Sequence, residues 1–203
     1  MMDTAGDVVD VVFGLRGGAI ARDYAYRLWQ SLNEQLVWLE EEAGAGIHPL
    51  YGASSGSEQE LYLNHRARLI LRLPAHRAQQ ASSLRGTSID LGGTVEIGAA
   101  SVRELRPHAV LYSRFVSTGT ADEIEFLSDA EYQLRQAGIA GELVCGRART
   151  AQAGDAALRG FALMVHGLTP QQSLQAQRTG LGEGRKIGCG IFVPHKSVAA
   201  VGT

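Results

Sequence analysis

The chain has 203 residues, 45% of them hydrophobic, and a formal net charge of −2. The apolar content supplies a core for one domain or two small ones, and the near-neutral charge does not by itself indicate a nucleic-acid binder. Two cysteines without a C-x-x-C pair exclude a disulfide framework or a cysteine zinc site. No run of apolar residues reaches the length of a membrane span, and no signal peptide is visible. We therefore expect a cytoplasmic protein in a reducing compartment, without a membrane partner.

The first half of the chain predicts the order strand, helix, two strands, helix, strand. The predicted elements are a strand over Val8–Phe13, an amphipathic helix from Arg22 to Leu39, strand structure within Leu61–Leu73, a helix from Pro74 to about Leu84 and a strand over Thr94–Ile97. This is the β-α-β-β-α-β order of a ferredoxin-like module.

Arginines alternate with apolar residues between Leu61 and Leu73. Helices would cover the apolar face of such a strand and leave the other face open. Arg66, Arg68 and Arg72 then lie in register on the open face. Like charges on one face repel each other without an anion between them. The pattern therefore predicts an anion-binding face, and arginine is well suited to phosphate.

The second half repeats the order of elements without repeating the sequence. The predicted elements are a strand over Val110–Val116, a helix from Asp122 to Ala137, a hairpin of Glu142–Thr150 with Leu158–Val165, a helix that begins at Thr169 and a final strand at Ile191–Val193. The predicted fold class is α+β, with two tandem ferredoxin-like (RRM-like) modules at residues 1–105 and 106–203 and a glycine-rich loop in the second.

The most distinctive stretch of the chain is the glycine loop, residues 180–190. Glycines at 180, 182, 184, 188 and 190 enclose Arg185 and Lys186, and amides together with fixed cations can form an anion cradle. The spacing fits neither a P-loop, because Ile187 follows the lysine, nor the dinucleotide pattern G-x-G-x-x-G. The residues alone leave two alternatives open, a structural turn and a phosphate site.

The spacing G-h-G-x5-G-h-G, where h is a hydrophobic residue or cysteine, resembles the C-terminal glycine-rich loop of the repeat-associated (RAMP) superfamily of CRISPR proteins. In particular it is similar to the sixth CRISPR-associated protein family, the endoribonucleases that cut repeat RNA. The resemblance extends over nearly the whole chain through the order of elements. It implies that the protein binds the repeat hairpin of CRISPR precursor RNA, cuts at the 3′ base of the hairpin and stays in an effector (Cascade) complex.

The resemblance also implies a chemistry without metal or cofactor. The 2′-OH attacks the adjacent phosphate, which leaves a 2′,3′-cyclic phosphate and a 5′-OH, and this reaction needs proton-transfer groups and cations. His48 lies where the family commonly has its catalytic histidine, just after the first helix of the first module. Tyr26 is a weaker catalytic candidate, with Tyr24 beside it. The predicted RNA-binding residues are Arg22, Arg66, Arg68, Arg72, Gly182, Gly184, Arg185, Lys186 and Gly188.

Other interpretations remain open. His48 on a glycine-rich turn could be a loop residue bonded to backbone, and residue chemistry alone favours that view. The protein would then be a non-catalytic RAMP subunit that coats guide RNA. A nucleotide-binding ferredoxin-like enzyme and a pure interaction module are alternatives from other classes. No histidine has a partner at metal-ligand spacing, so we expect no metal site.

Overall fold

The computed structural model describes residues 7–54 and 59–196. The chain divides into two compact units, Met1–Glu104 and Leu105–Thr203. The strands of the first unit are β1 (Val8–Gly17), β2 (Ala19–Ala21), β3 (Gly46–Ile47), β4 (Ala53–Ser54), β5 (Glu60–Tyr62), β6 (Arg68–Pro74), β7 (Ser88–Asp90) and β8 (Thr94–Glu104). Its helices are α1 (Tyr24–Gln35) and α2 (Ala78–Ala81), and 3₁₀ turns extend α2 on both sides.

The main sheet of the first unit is antiparallel, in the order β3-β6-β1-β8-β7. Its hydrophobic core lies on one face, where Val9, Val11 and Phe13 of β1 pack with Leu28 and Leu32 of α1. Successive strand residues point to opposite faces. The polar residues that alternate with this apolar set therefore lie on the other face, here called the open face of the sheet.

The second unit has the same plan. Its strands are β9 (Val110–Val116), β10 (Glu142–Ala153), β11 (Ala156–His166) and β12 (Val193–Pro194), and its helices are α3 (Glu123–Gln136) and α4 (Pro170–Thr179). The sheet order is β10-β11-β9-β12. The four principal strands of the first unit are β1, β3, β6 and β8, and those of the second unit are β9 to β12. When the four are numbered in chain order, both sheets have the order second, third, first, fourth. The prediction of tandem ferredoxin-like modules is confirmed.

Several local predictions in the second half are confirmed. The helix predicted from Asp122 forms as α3, and Asp122 caps it by accepting hydrogen bonds from two backbone amides. The helix predicted from Thr169 forms as α4, which begins with a capping box between Thr169 and Gln172. Pro170 occupies the first turn of α4, where its missing N–H and fixed φ are tolerated. The predicted hairpin forms as β10 and β11.

Two predictions in the first half are wrong in detail. Leu61–Leu73 is not one strand, because a turn separates β5 from β6. In that turn the side chain of Asn64 accepts a hydrogen bond from the amide of Arg66 at 2.8 Å, a local bond typical of asparagine turns. The first helix is also shorter than predicted and ends at Gln35. No helix in the described residues is long and apolar enough to cross a membrane.

Candidate active site

His48 follows the short edge strand β3 of the first unit. Its backbone amide donates to the carbonyl of Ile70 on β6 at 2.9 Å, so the strand pairing continues one residue beyond β3. Pro49 comes next and has no N–H to donate, which ends the pairing. His48 thus lies opposite Ile70 at the edge of the sheet, with its side chain only 5% exposed.

The side chain of His48 meets an ion pair on the open face of the sheet. Asp10 of β1 and Arg72 of β6 are cross-strand partners. The Nε of Arg72 donates to Oδ1 of Asp10 at 2.8 Å, and a second guanidinium nitrogen donates to Oδ2 at 3.0 Å. The Nε2 of His48 lies 3.4 Å from the same Oδ1. These three side chains, from three segments of the chain, are here called the His48 cluster.

The His48 cluster keeps Asp10 ionised. Burial alone would raise the pKa of this carboxyl, but hydrogen bonds and charge interactions with His48 and Arg72 hold the pKa of Asp10 well below its usual range. A carboxylate beside an imidazole favours the charged, protonated ring. The bidentate fork of Arg72, whose side chain is 1% exposed, fixes the orientation of that carboxylate.

Tyr24 of α1 anchors the segment that carries His48. Its hydroxyl accepts a hydrogen bond from the amide of Leu50 at 2.6 Å and donates to the carbonyl of the same residue at 3.2 Å. Tyr26 instead lies with its ring 5.3 Å from that of Trp29. Tyr26 is the tyrosine predicted as a weak catalytic candidate, but the structure places Tyr24 against the His48 segment.

The sequence alone did not indicate Asp10 or the anchoring role of Tyr24. Asp10 is the one charged residue in the apolar run Val8–Phe13, and that interruption is a signal that could have been used. The partner of Asp10 is 62 residues away, so the ion pair itself follows only from the strand register.

The predicted row of three arginines does not exist. Arg66 lies in the turn before β6, and Arg68 is exposed at the start of that strand. Arg72 is buried in its ion pair with Asp10, which corrects the idea that its side chain faces an open surface. Arg22, just before α1, donates to the carbonyl of Glu60 at 3.1 Å.

The glycine loop packs into its own unit. All five of its glycines have positive φ, a conformation that glycine adopts without steric cost. The amide of Glu183 donates to the carbonyl of Ser117 at 3.0 Å, and the amide of Gly190 donates to that of Phe115 at 2.7 Å. Most other amides of the loop also donate within the second unit. These bonds hold the loop in its own unit, and the anion cradle stays a prediction.

The two cations of the glycine loop are both half-buried. A guanidinium nitrogen of Arg185 donates to the carbonyl of Arg178 at 2.8 Å, which satisfies an acceptor in the last turn of α4. The structure thus uses Arg185 as a helix cap. Lys186 follows it in the 3₁₀ turn Arg185–Ile187 between Gly184 and Gly188.

The remaining nucleophilic and metal-binding side chains do not form a site. Cys145 and Cys189 are free thiols. Burial, with a smaller contribution from Glu183, raises the pKa of Cys189 to about 12, which keeps this thiol protonated and unreactive. Among residues 7–54 and 59–196, no group of three or more His, Cys, Asp or Glu side chains could hold a metal ion.

Comparisons with known proteins agree on one family. The family model described as Cas6 Crispr matches residues 9–197. The CRISPR-associated endonuclease Cas6 of Myxococcus xanthus is 34% identical over 195 residues, which is 95% of this chain and 84% of that protein.

Solved structures show the same fold at low identity. A CRISPR-associated protein Cas6 superposes with a TM-score of 0.70 at 10% identity, over 94% of this chain and 100% of that one. A Cas6-related protein from Pyrococcus furiosus gives 0.68 at 12% identity, over 92% and 98%. The CRISPR endoribonuclease Cse3 bound to a 19-nucleotide RNA gives 0.53 at 10% identity, over 91% and 98%.

Proposed function

Because the chain belongs to the Cas6 family of CRISPR-associated proteins, we propose that it is an endoribonuclease that binds the repeat hairpin of CRISPR precursor RNA and cuts it. The observation that carries the proposal is the position of His48, buried 3.4 Å from the carboxylate of Asp10. Histidine is the side chain whose ordinary pKa suits proton transfer near neutral pH.

The proposed reaction needs no metal ion. The 2′ oxygen forms a bond to the adjacent phosphorus, the bond from phosphorus to the 5′ oxygen breaks, and the products are a 2′,3′-cyclic phosphate and a 5′-OH. One proton leaves the 2′-OH and one reaches the 5′ oxygen. The ionised Asp10 favours protonated His48, and this suits the role of general acid to the leaving 5′ oxygen.

Asp10, Arg72 and Tyr24 are positioning residues in this proposal. Asp10 orients the imidazole, Arg72 holds Asp10 through two hydrogen bonds, and Tyr24 holds the backbone at Leu50, two residues beyond His48. Positioning of this kind lowers the entropic cost of bringing the proton-transfer group into the reactive geometry. Tyr26 remains a second, weaker candidate for a catalytic group.

We assign RNA binding to the exposed cations and to the surface of the glycine loop. The assigned residues are Arg22, Arg66, Arg68, Gly182, Gly184, Lys186 and Gly188; Arg72 contributes through Asp10, and Arg185 contributes by capping α4 next to Lys186. Contacts to the backbone and shape of the hairpin would supply affinity. After cutting, the protein would keep the processed RNA and join other subunits of a type I effector complex in the cytoplasm.

The decisive experiment is single-turnover cleavage of a hairpin repeat RNA in EDTA. We expect the parent protein to cut, a 2′-deoxy nucleotide at the cleavage site to block cutting, and His48→Ala to lose at least about 100-fold in rate while RNA binding persists. His76→Ala is the matched control, because His76 lies 3.7 Å from a carboxylate oxygen of Glu42 but is 67% exposed. Equal rates for His48→Ala and the parent protein would remove His48 from the mechanism, and loss of cutting in EDTA would overturn metal independence.

One observation favours a second candidate function, a RAMP subunit that binds guide RNA without cutting it. The imidazole of His48 is buried with its Nε2 3.4 Å from the carboxylate of Asp10, which is also what a purely structural histidine would do. The same assay separates the two functions. Tight binding of repeat RNA without cutting by the parent protein would establish the scaffold function.

A further inference from the structure

A groove of about 460 Å³ lies on the open face of the first sheet. Small or apolar residues from β1 and β8 form its floor, namely Val12, Gly14, Gly98 and Ala99. Polar side chains line its sides, namely Arg16, Arg68, Arg103, His65 and Ser101. All of these residues belong to the first unit, and this feature is here called the arginine groove.

Two of the residues that line the groove, Gly14 of β1 and Gly98 of β8, have no side chain. A β-carbon added to Gly14 would meet no atom within 4 Å, so that space is open. The strand register also shifts between Phe13 and Leu15, and such a bulge bends a strand and redirects its side chains. Arg16 follows directly after this irregularity and lines the groove.

The charge of the groove is one-sided. Among the described residues, no Asp or Glu lines the groove, and the guanidinium of Arg68 donates to the backbone carbonyls of His65 and Ala67. Within the same part of the chain, the side chains of Arg16 and Arg103 form no hydrogen bond or ion pair. Glu96 is the cross-strand partner of Arg16 but lies outside the lining. Asp10, the cross-strand partner of Arg103, is already bound by Arg72, so the three arginines of the groove favour an anionic ligand.

The groove leads to the His48 cluster. Asp10 has Arg72 as its partner on β6 and Arg103 as its partner on β8, so the end of the groove at Arg103 lies one strand away from Asp10. Neighbouring strands are about 4.8 Å apart. His48 lies 3.4 Å from Asp10, so an extended anion in the groove would end close to the His48 cluster.

We propose that the arginine groove binds the sugar-phosphate backbone of an unpaired RNA segment next to the cleavage site. This inference rests on the proposed function and names the part of the substrate that this surface holds. A volume of about 460 Å³ suits a ligand of small-molecule size, such as one or two nucleotides of a single strand, and not a duplex. Among the described residues, no Phe, Tyr or Trp lines the groove, and its three arginines suit phosphate, so we expect the site to bind the backbone more than it reads the bases.

The experiment measures RNA binding in the His48→Ala background, so that cutting does not interfere. The variants are Arg68→Gln with Arg103→Gln, and Arg16→Gln. The control is Arg27→Gln, an exposed arginine of α1 outside the groove. The RNAs are a repeat hairpin with its unpaired flanks, the hairpin alone, and hairpins with altered flank bases.

We expect the double variant to weaken binding of the flanked RNA on the order of tenfold and to reduce the salt slope by about 0.7 for each lost contact. Arg27→Gln should bind like the parent, and lysine at positions 68 and 103 should restore the salt slope. With the hairpin alone, the double variant and the parent should bind with equal affinity. Parent-like affinity and slope in the double variant would overturn the groove but leave the proposed function intact. Failure of the parent to bind any repeat RNA would overturn both, and sensitivity to flank bases would contradict a backbone site.

Discussion

The glycine loop and the His48 cluster differ in how they are encoded and in what their polar groups do. The loop is contiguous in sequence and conspicuous, yet most of its amides and the guanidinium of Arg185 bond within the second unit. The His48 cluster has no motif, since Asp10, His48 and Arg72 come from three separate segments. A conspicuous glycine pattern therefore reports backbone geometry first, whereas the residues proposed for proton transfer are brought together by strand register.

The largest expected effect is on stability and distinguishes two arginines of β6, the buried Arg72 and the exposed Arg68. We predict that Arg72→Met lowers the free energy of unfolding by about 3 to 5 kcal/mol. The substitution leaves the carboxylate of Asp10 partly buried without its two hydrogen bonds from the guanidinium. Arg68→Met on the same strand should change stability by no more than about 0.5 kcal/mol. Urea denaturation of the three proteins checks this, and similar values for both variants would show that the cluster does not stabilise the unit.

Much of the fold could be predicted because its signals are local. The caps of α3 and α4 and the hairpin of β10 with β11 each depend on residues within about one turn or one hairpin of each other. The turn at Asn64 was missed because the apolar alternation continues across it. His48 came from its family position, and Asp10 could not be paired with Arg72 because their contact spans 62 residues and requires the sheet to exist.

The second prediction tests whether the glycine loop is primarily a packed element. A β-carbon on Gly182, at φ 71°, would overlap the carbonyl oxygen of Ser117, whereas one on Gly138, also at φ 71°, meets nothing within 4 Å. Both alanine variants carry the strain of positive φ. We expect Gly182→Ala to lose about 2 kcal/mol more than Gly138→Ala because of the overlap. Thermal and urea denaturation measure the difference. Weaker RNA binding by Gly182→Ala without a loss of stability would instead make the loop surface an RNA contact first.

The third prediction compares the two tyrosines of α1. Tyr24→Phe removes the hydroxyl that bonds both backbone groups of Leu50, so we expect a loss of about 1 to 3 kcal/mol in stability and slower RNA cleavage through a misplaced His48. Tyr26→Phe should have a smaller effect on both. A larger loss of cleavage in Tyr26→Phe at unchanged stability would reverse the assignment and make Tyr26 the catalytic tyrosine.

The fourth prediction concerns pH and the ionised state of Asp10. Its pKa in the folded protein is below the unfolded value, so its stabilising contribution is complete above about pH 4 and declines as the pH falls. From pH 6 to pH 3 the parent should lose about 1 kcal/mol more stability than Asp10→Asn. Urea denaturation at several pH values gives both curves. Parallel curves would show that Asp10 has an ordinary pKa in the folded state.

The smallest effects distinguish the two cations of the glycine loop. Arg185→Gln removes the bond to the carbonyl of Arg178, so we expect a loss of about 1 kcal/mol in stability with an unchanged salt dependence of RNA binding. Lys186→Gln should leave stability within about 0.5 kcal/mol but reduce the salt slope by about 0.7 to 0.9, the value for one lost phosphate contact. Binding titrations at four salt concentrations, with the His48→Ala background to prevent cutting, provide the slopes.

If Arg185→Gln lowers the slope as much as Lys186→Gln, the guanidinium contacts phosphate as well as capping α4. If neither variant changes the slope, RNA does not contact the loop cations, and the arginine groove and Arg22 become the principal basic surfaces for RNA.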